Sequence, residues 1–99
     1  MSAAPTTETA PAPAAAARRP SLHGTFRLQW EPAQQAWVLL YPEGMVTLND
    51  SAAAILRHCD GTRTLDMLID DLQAAFGVDG IAPEVHAFVS HAIERGWLV

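Results

Sequence analysis

The sequence predicts an α+β domain in which a three-stranded antiparallel meander is followed by three helices. Three observations carry this expectation. Strand-type apolar patterning occupies Phe26 to Leu48, helical spacing takes over after Asn49, and the proline and glycine residues Pro42, Gly44, Gly61, Gly77 and Gly96 fall at the joints. Strands first and helices afterwards, with short turns throughout, suit a small sheet packed against a helical layer.

Phe26, Leu28 and Trp30 alternate with Arg27 and Gln29, the period of a strand with one buried face. Glu31 to Gln35 is a polar break containing Pro32. Ala36 to Tyr41 is apolar on both faces and reads as the central strand. Tyr41-Pro42-Glu43-Gly44 fits a type I turn, with proline second and glycine fourth, and Met45 to Leu48 makes a short third strand.

Ala52, Ile55, Leu56 and Cys59 keep the i, i+3, i+4, i+7 spacing of a first helix. Asn49 stands at its N-cap, and Asp60-Gly61 at its end. Thr64 starts a second helix, with Asp66 in the turn where the dipole favours negative charge. Leu65, Leu68, Ile69, Leu72 and Phe76 form its stripe, and Gly77 stops it. Pro83 opens a third helix with Val85, Phe88, Val89, Ala92 and Ile93 along one side. Gly96 then suits the C′ position, and Trp97 stands where a Schellman motif places its apolar contact.

Composition narrows the function classes. Met1 to Pro20 is almost entirely Ala, Pro, Thr and Ser, too poor in apolar groups to offset its ordering entropy. Residues 1–21 are therefore expected to be a disordered tail and 22–99 a single domain. No basic-then-apolar pattern marks a secretory signal, and no run reaches the roughly 20 apolar residues of a membrane span. One cysteine precludes an internal disulfide, which fits a cytoplasmic protein. The chain has no lysine and a formal net charge of −5, with ten of its eleven acids after the tail. Phosphate neutralisation needs clustered cations, so nucleic acid is an ill-suited partner.

The reactive side chains form no constellation. His58 and Cys59 are adjacent and diverge by about 100° on a helix, while His86 and His91 are not an i, i+4 pair. No metal site is expected. Cys59 falls in the apolar stripe and reads as a buried structural thiol rather than a nucleophile. Asp66, Asp70 and Asp71 belong to a solvated acidic face, and Asp60 to a turn. No catalytic residue and no cofactor are expected.

The remaining signal is geometric. A three-stranded meander leaves two edges with unpaired backbone groups. The third strand carries no charge and no proline to blunt its edge. The third helix has an apolar arc about 140° wide, more than a narrow contact needs. Met45, Val46, Thr47 and Leu48 are thus candidates for one wall of a peptide groove. Val85, Phe88, Val89, Ala92 and Ile93 are candidates for the other, with pure core packing as the competing reading of that helix.

Leu39-Leu40-Tyr41-Pro42-Glu43-Gly44, Leu48-Asn49, Ile55-Leu56 and Cys59-Asp60-Gly61, flanked by Arg27-Leu28 and Gly96-Trp97-Leu98, together resemble the PqqD family of pyrroloquinoline quinone (PQQ) biosynthesis. The resemblance spans Phe26 to Val99. It implies a winged-helix-like fold and a non-catalytic peptide chaperone. Such a chaperone would bind the precursor peptide PqqA by strand addition and present it to PqqE, a radical S-adenosylmethionine enzyme that joins a glutamate to a tyrosine. It also implies Glu43 as a candidate partner contact.

Two other classes stay open at this stage: a winged-helix regulator of transcription, against which the acidic body counts, and an accessory subunit that stabilises an enzyme without touching its substrate. Trp30, Trp37 and Trp97 also leave a homodimer open.

Overall fold

The computed structural model describes residues 18–99. The element order is β1 (Arg27–Glu31), β2 (Ala36–Tyr41), β3 (Gly44–Thr47), α1 (Asp50–His58), α2 (Leu65–Phe76) and α3 (Ala82–Glu94). The strands form one antiparallel sheet in the order β1-β2-β3. Three strands followed by three helices is the architecture read from the sequence.

Capping residues set the helix limits. The Asn49 side chain accepts from the Ala52 amide, and the Thr64 hydroxyl accepts from that of Met67. Gly77 ends α2 in the left-handed conformation. At the end of α3 the Gly96 amide donates to Ile93 O at 3.0 Å and the Trp97 amide to Ala92 O at 2.9 Å. Those two bonds are the pair that defines a Schellman motif, and Gly96 supplies the positive φ of 80° that it needs. The motif turns Trp97 and Leu98 back into the core, where both are buried. α1 stops at His58, two residues before Asp60, and Cys59 is its C-cap.

One contiguous core joins Leu39 and Leu48 to Ile55 and Leu56 of α1, to Leu68, Ile69 and Leu72 of α2, and to Val85, Val89 and Ala92 of α3. Three expectations for this core change. Ala53, rather than Ala52, is the fully buried alanine of α1. Trp30, near the end of β1 and on the same face as Leu28, is 45% exposed; it rests edge-on against Trp37 at 5.9 Å. Phe76, expected on the inner stripe of α2, is 59% exposed in its last turn.

The expected tail of residues 1–21 lies largely outside the described residues, but its last members are docked. Pro20 is buried, and its carbonyl accepts from Gly61 N at 3.0 Å. Ser21 exchanges backbone hydrogen bonds with Val99, and His23 donates to Trp97 O at 2.8 Å. Gly61 has φ of 84°, and an added Cβ would stand 3.4 Å from Ser21 Cβ. Among the described residues, backbone pairing with the rest of the fold thus includes Pro20 and Ser21, just before the expected boundary at 22. The composition of the segment concealed this, because the pairing uses backbone groups that carry no sequence signature.

Arg63 ties α1 to α2. Its guanidinium donates to Asp71 at 2.7 Å, to Asp60 at 3.2 Å and to the His58 carbonyl at 3.0 Å. The Asp71 hydrogen bond and the nearby carboxylates raise the Arg63 pKa further. Asp60 lies below the usual carboxylate range, chiefly through hydrogen bonds from the Thr62 side chain and amide, with Arg63 helping. Its stabilising effect is present above the ordinary carboxylate pKa and is lost as acidification protonates the folded state.

Candidate functional site

The pairing of β3 decides which of its backbone groups are free. Leu48 N donates to Trp37 O at 2.9 Å, and the register runs Val38↔Thr47, Leu39↔Val46, Leu40↔Met45, Tyr41↔Gly44. In an antiparallel ladder, hydrogen-bonded and non-bonded pairs alternate. Trp37–Leu48, Leu39–Val46 and Tyr41–Gly44 are thus the bonded pairs. Met45 and Thr47 direct their N–H and C=O groups away from β2, toward the free edge.

Side chains divide by the same alternation. Val46 shares the face of Leu39 and packs against the core margin, whereas Met45 is 47% exposed on the opposite face. Thr47 is exposed as well, and its hydroxyl hydrogen-bonds Gln34 Oε1 at 3.0 Å. Glu43 is exposed in the two-residue loop of the β2–β3 hairpin. Neither Pro42 nor Glu43 has a positive φ, so the loop is not one of the primed hairpin turns and does not follow the strand twist.

The helical candidates separate into core and margin. Val85, Val89 and Ala92 are at most 3% exposed. Leu48 is buried too. Phe88 and Ile93 are partly buried at the edge of the core, and Phe88 lies 6.4 Å from the Trp97 ring. Of the candidate residues, the outward backbone of Met45 and Thr47 lies at the free edge, and Met45, Val46, Phe88 and Ile93 keep some of their apolar surface exposed. Leu48, Val85, Val89 and Ala92 belong to the buried core.

Other residues escaped sequence reasoning. The Arg57 guanidinium stacks over Trp37 at 4.7 Å, fixing the end of α1 against the sheet. The signal was there in principle, since an arginine in the last turn of a helix beside a tryptophan strand suits such a contact. A concavity of about 550 Å³ opens among the three helices, and of the peptide candidates only Val85 lines it.

Among the described residues no three His, Cys, Asp or Glu side chains are grouped to hold a metal, and no helix is long and apolar enough to cross a membrane. His58 Nδ1 is engaged by the Ala54 carbonyl at 2.8 Å. Cys59 is buried, and burial, with Asp60 adding, pushes its thiol up to about 12 against the opposing effect of Arg63. The thiol is thus protonated at neutral pH. We expect iodoacetamide at pH 7.5 to leave the native protein unlabelled and to alkylate it once urea unfolds it. Native labelling at the unfolded rate would show that Cys59 is accessible. Because the folded pKa is raised, this group destabilises the fold only in alkali, as pH rises from about 9 toward 12.

Comparison with known proteins gives a consistent result. The model of the family "Coenzyme PQQ synthesis protein D (PqqD)" matches residues 36–98. The "PqqA binding protein" of Stutzerimonas stutzeri is 52% identical over 80 residues, covering 80% of this chain and 87% of that protein. Its namesake in Methylococcus capsulatus is 47% identical over 73 residues, covering 74% and 78%. Among solved structures, the PqqD truncation of Methylobacterium extorquens PqqCD matches with a TM-score of 0.63 and 25% identity, covering 81% of this chain and 87% of that one. That protein is described as a functional, stand-alone recognition element for ribosomally synthesised and post-translationally modified peptides. By the extent of the family match and the identity to these relatives, this chain belongs to the PqqD family.

Proposed function

We propose that this chain is a non-catalytic peptide chaperone of PQQ biosynthesis, which binds a PqqA-like precursor along β3 and presents it to a PqqE-like radical S-adenosylmethionine enzyme. The observation that carries this reading is the free β3 edge, whose outward groups are those of Met45 and Thr47. The names of the relatives and the recognition-element structure support the choice of peptide. A buried, protonated lone cysteine fits the reducing cytoplasm as the working compartment.

Energetics decide what else the site must supply. Two outward residues offer two donors and two acceptors, and at about 0.5–1.5 kcal/mol net each these bonds give roughly 2–6 kcal/mol. Association alone costs about 4–15 kcal/mol. Strand addition therefore cannot hold a guest without side-chain burial, a role this reading assigns to the partly buried Val46, Phe88 and Ile93. Binding would turn a flexible substrate into an oriented one, lowering the entropy lost when the enzyme engages it.

Titration calorimetry of the full chain against a synthetic PqqA-like peptide tests the reading. We expect saturable 1:1 binding with a negative heat-capacity change, the mark of apolar burial. No detectable heat at millimolar peptide, with intact folding by circular dichroism, would reject it.

A further inference from the structure

The first strand has an edge that the peptide does not use. Its residues Arg27-Leu28-Gln29-Trp30-Glu31 set an arginine and a glutamate symmetrically about Gln29, with Leu28 and Trp30 between. Leu39 and Val46 are a bonded pair, so the alternate β2 residues Ala36, Val38 and Leu40 direct their N–H and C=O groups toward β1. They engage Glu31, Gln29 and Arg27, which leaves the backbone groups of Leu28 and Trp30 pointing outward. Among the described residues no strand pairs with that edge. Trp30 is 45% exposed beside it. Arg27 is exposed as well, and among the described residues the ion pairs all belong to Arg63.

We propose that two copies of this chain pair through β1, antiparallel about a twofold axis at Gln29. That register sets Arg27 opposite the partner's Glu31 and Glu31 opposite the partner's Arg27, on the face away from the core. Leu28 and Trp30 become bonded pairs with the partner's Trp30 and the partner's Leu28, so every outward N–H and C=O of β1 is used. The same pairs bring the exposed indole of Trp30 against leucine on the helix side of the sheet. Pro32 follows β1 and has no N–H, so the ladder stops there. Any shift of the register separates the opposite charges, so the pattern specifies one pairing. Charges on an edge strand ordinarily keep copies apart. In a chain of net charge −5, whose surfaces otherwise repel, the mirrored arginine and glutamate instead make this edge complementary to itself. The two β3 edges then lie at opposite ends of one continuous sheet and stay open to a guest.

Sedimentation velocity on the full chain, from about 10 μM to about 1 mM, covers the affinity range of so small an interface. Wild type should pass from monomer to dimer over that range, and less readily as salt rises, because the paired charges are near the surface. Arg27→Glu and Glu31→Arg each set like charges opposite one another, and each should weaken self-association by at least about tenfold. Glu31 Oε1 also accepts from the Ala33 amide at 3.3 Å, so loss in that variant alone would not isolate the pair. Mixing the two variants isolates it, since each supplies the sign that the other lacks. The mixture should form a heterodimer about as tight as the wild-type dimer, a recovery that misfolded chains could not give. Circular dichroism checks the fold of each. A wild type that stays monomeric at the top of the range overturns the inference. So do single variants that dimerise like the wild type, or a mixture that recovers nothing. If saturating PqqA-like peptide dissolves the wild-type dimer, the contact belongs to β3 and the inference also falls.

Discussion

Met45→Pro should leave the domain folded and abolish peptide binding, whereas Val46→Pro, one residue on, should unfold it. The two N–H groups point in opposite directions. That of Val46 belongs to the bonded pair with Leu39, so proline there removes a ladder bond beside a residue that is 0% exposed. That of Met45 faces the free edge, where proline removes a donor that only a guest would use. Gly44 precedes Met45 and has no Cβ to clash with the new ring, which further eases the substitution. Thermal melts followed by circular dichroism, with calorimetry on the variant that folds, read both outcomes. A folded Met45→Pro that binds the PqqA-like peptide like the wild type would contradict strand addition.

Val89→Asp is expected to unfold the protein at neutral pH, and Ile93→Asp to leave it folded with weakened peptide binding. Val89 is 3% exposed in the middle of α3, and among the described residues no charged or polar residue is buried in the core with it. Removing a charge partner from a buried pair costs about 3–5 kcal/mol, and a carboxylate that never had one is no cheaper. A domain of this size has roughly 4–12 kcal/mol of stability in total. Ile93 is only partly buried at the core margin, so an aspartate there can reach water. Urea melts of the two variants separate the cases. A cooperative Val89→Asp transition as stable as wild type would mean that α3 is not packed as described.

How far the sequence revealed this arrangement depended on whether the information was local. Asn49, Thr64, Gly77 and Gly96 act through their own backbone or the next turn, and each does what its residue type suggests. The sheet order follows from the same source, because Pro42 and Gly44 leave no room for anything but a hairpin between β2 and β3. What escaped needed distant partners. Trp30 fits the period of a buried strand face, yet only the position of the helices determines that it stays outside. The α3 stripe could not be divided into core and margin by periodicity, since Val89 and Ile93 are equally apolar and differ only in what lies over them. Arg63 looked like an ordinary loop residue until the fold brought the His58 carbonyl, Asp60 and Asp71 around it. The parity of the β3 edge likewise rests on one bond, from Leu48 N to Trp37 O.

Backbone amide exchange gives the most direct view of that edge. In hydrogen–deuterium exchange followed by NMR, the Val46 amide should be protected in the free protein, and the Met45 and Thr47 amides should exchange quickly. Adding saturating PqqA-like peptide should slow Met45 and Thr47 by at least about tenfold, the effect of burying an amide in a new ladder. A peptide that binds while both amides keep exchanging at their free rates would place the guest elsewhere and contradict strand addition at β3.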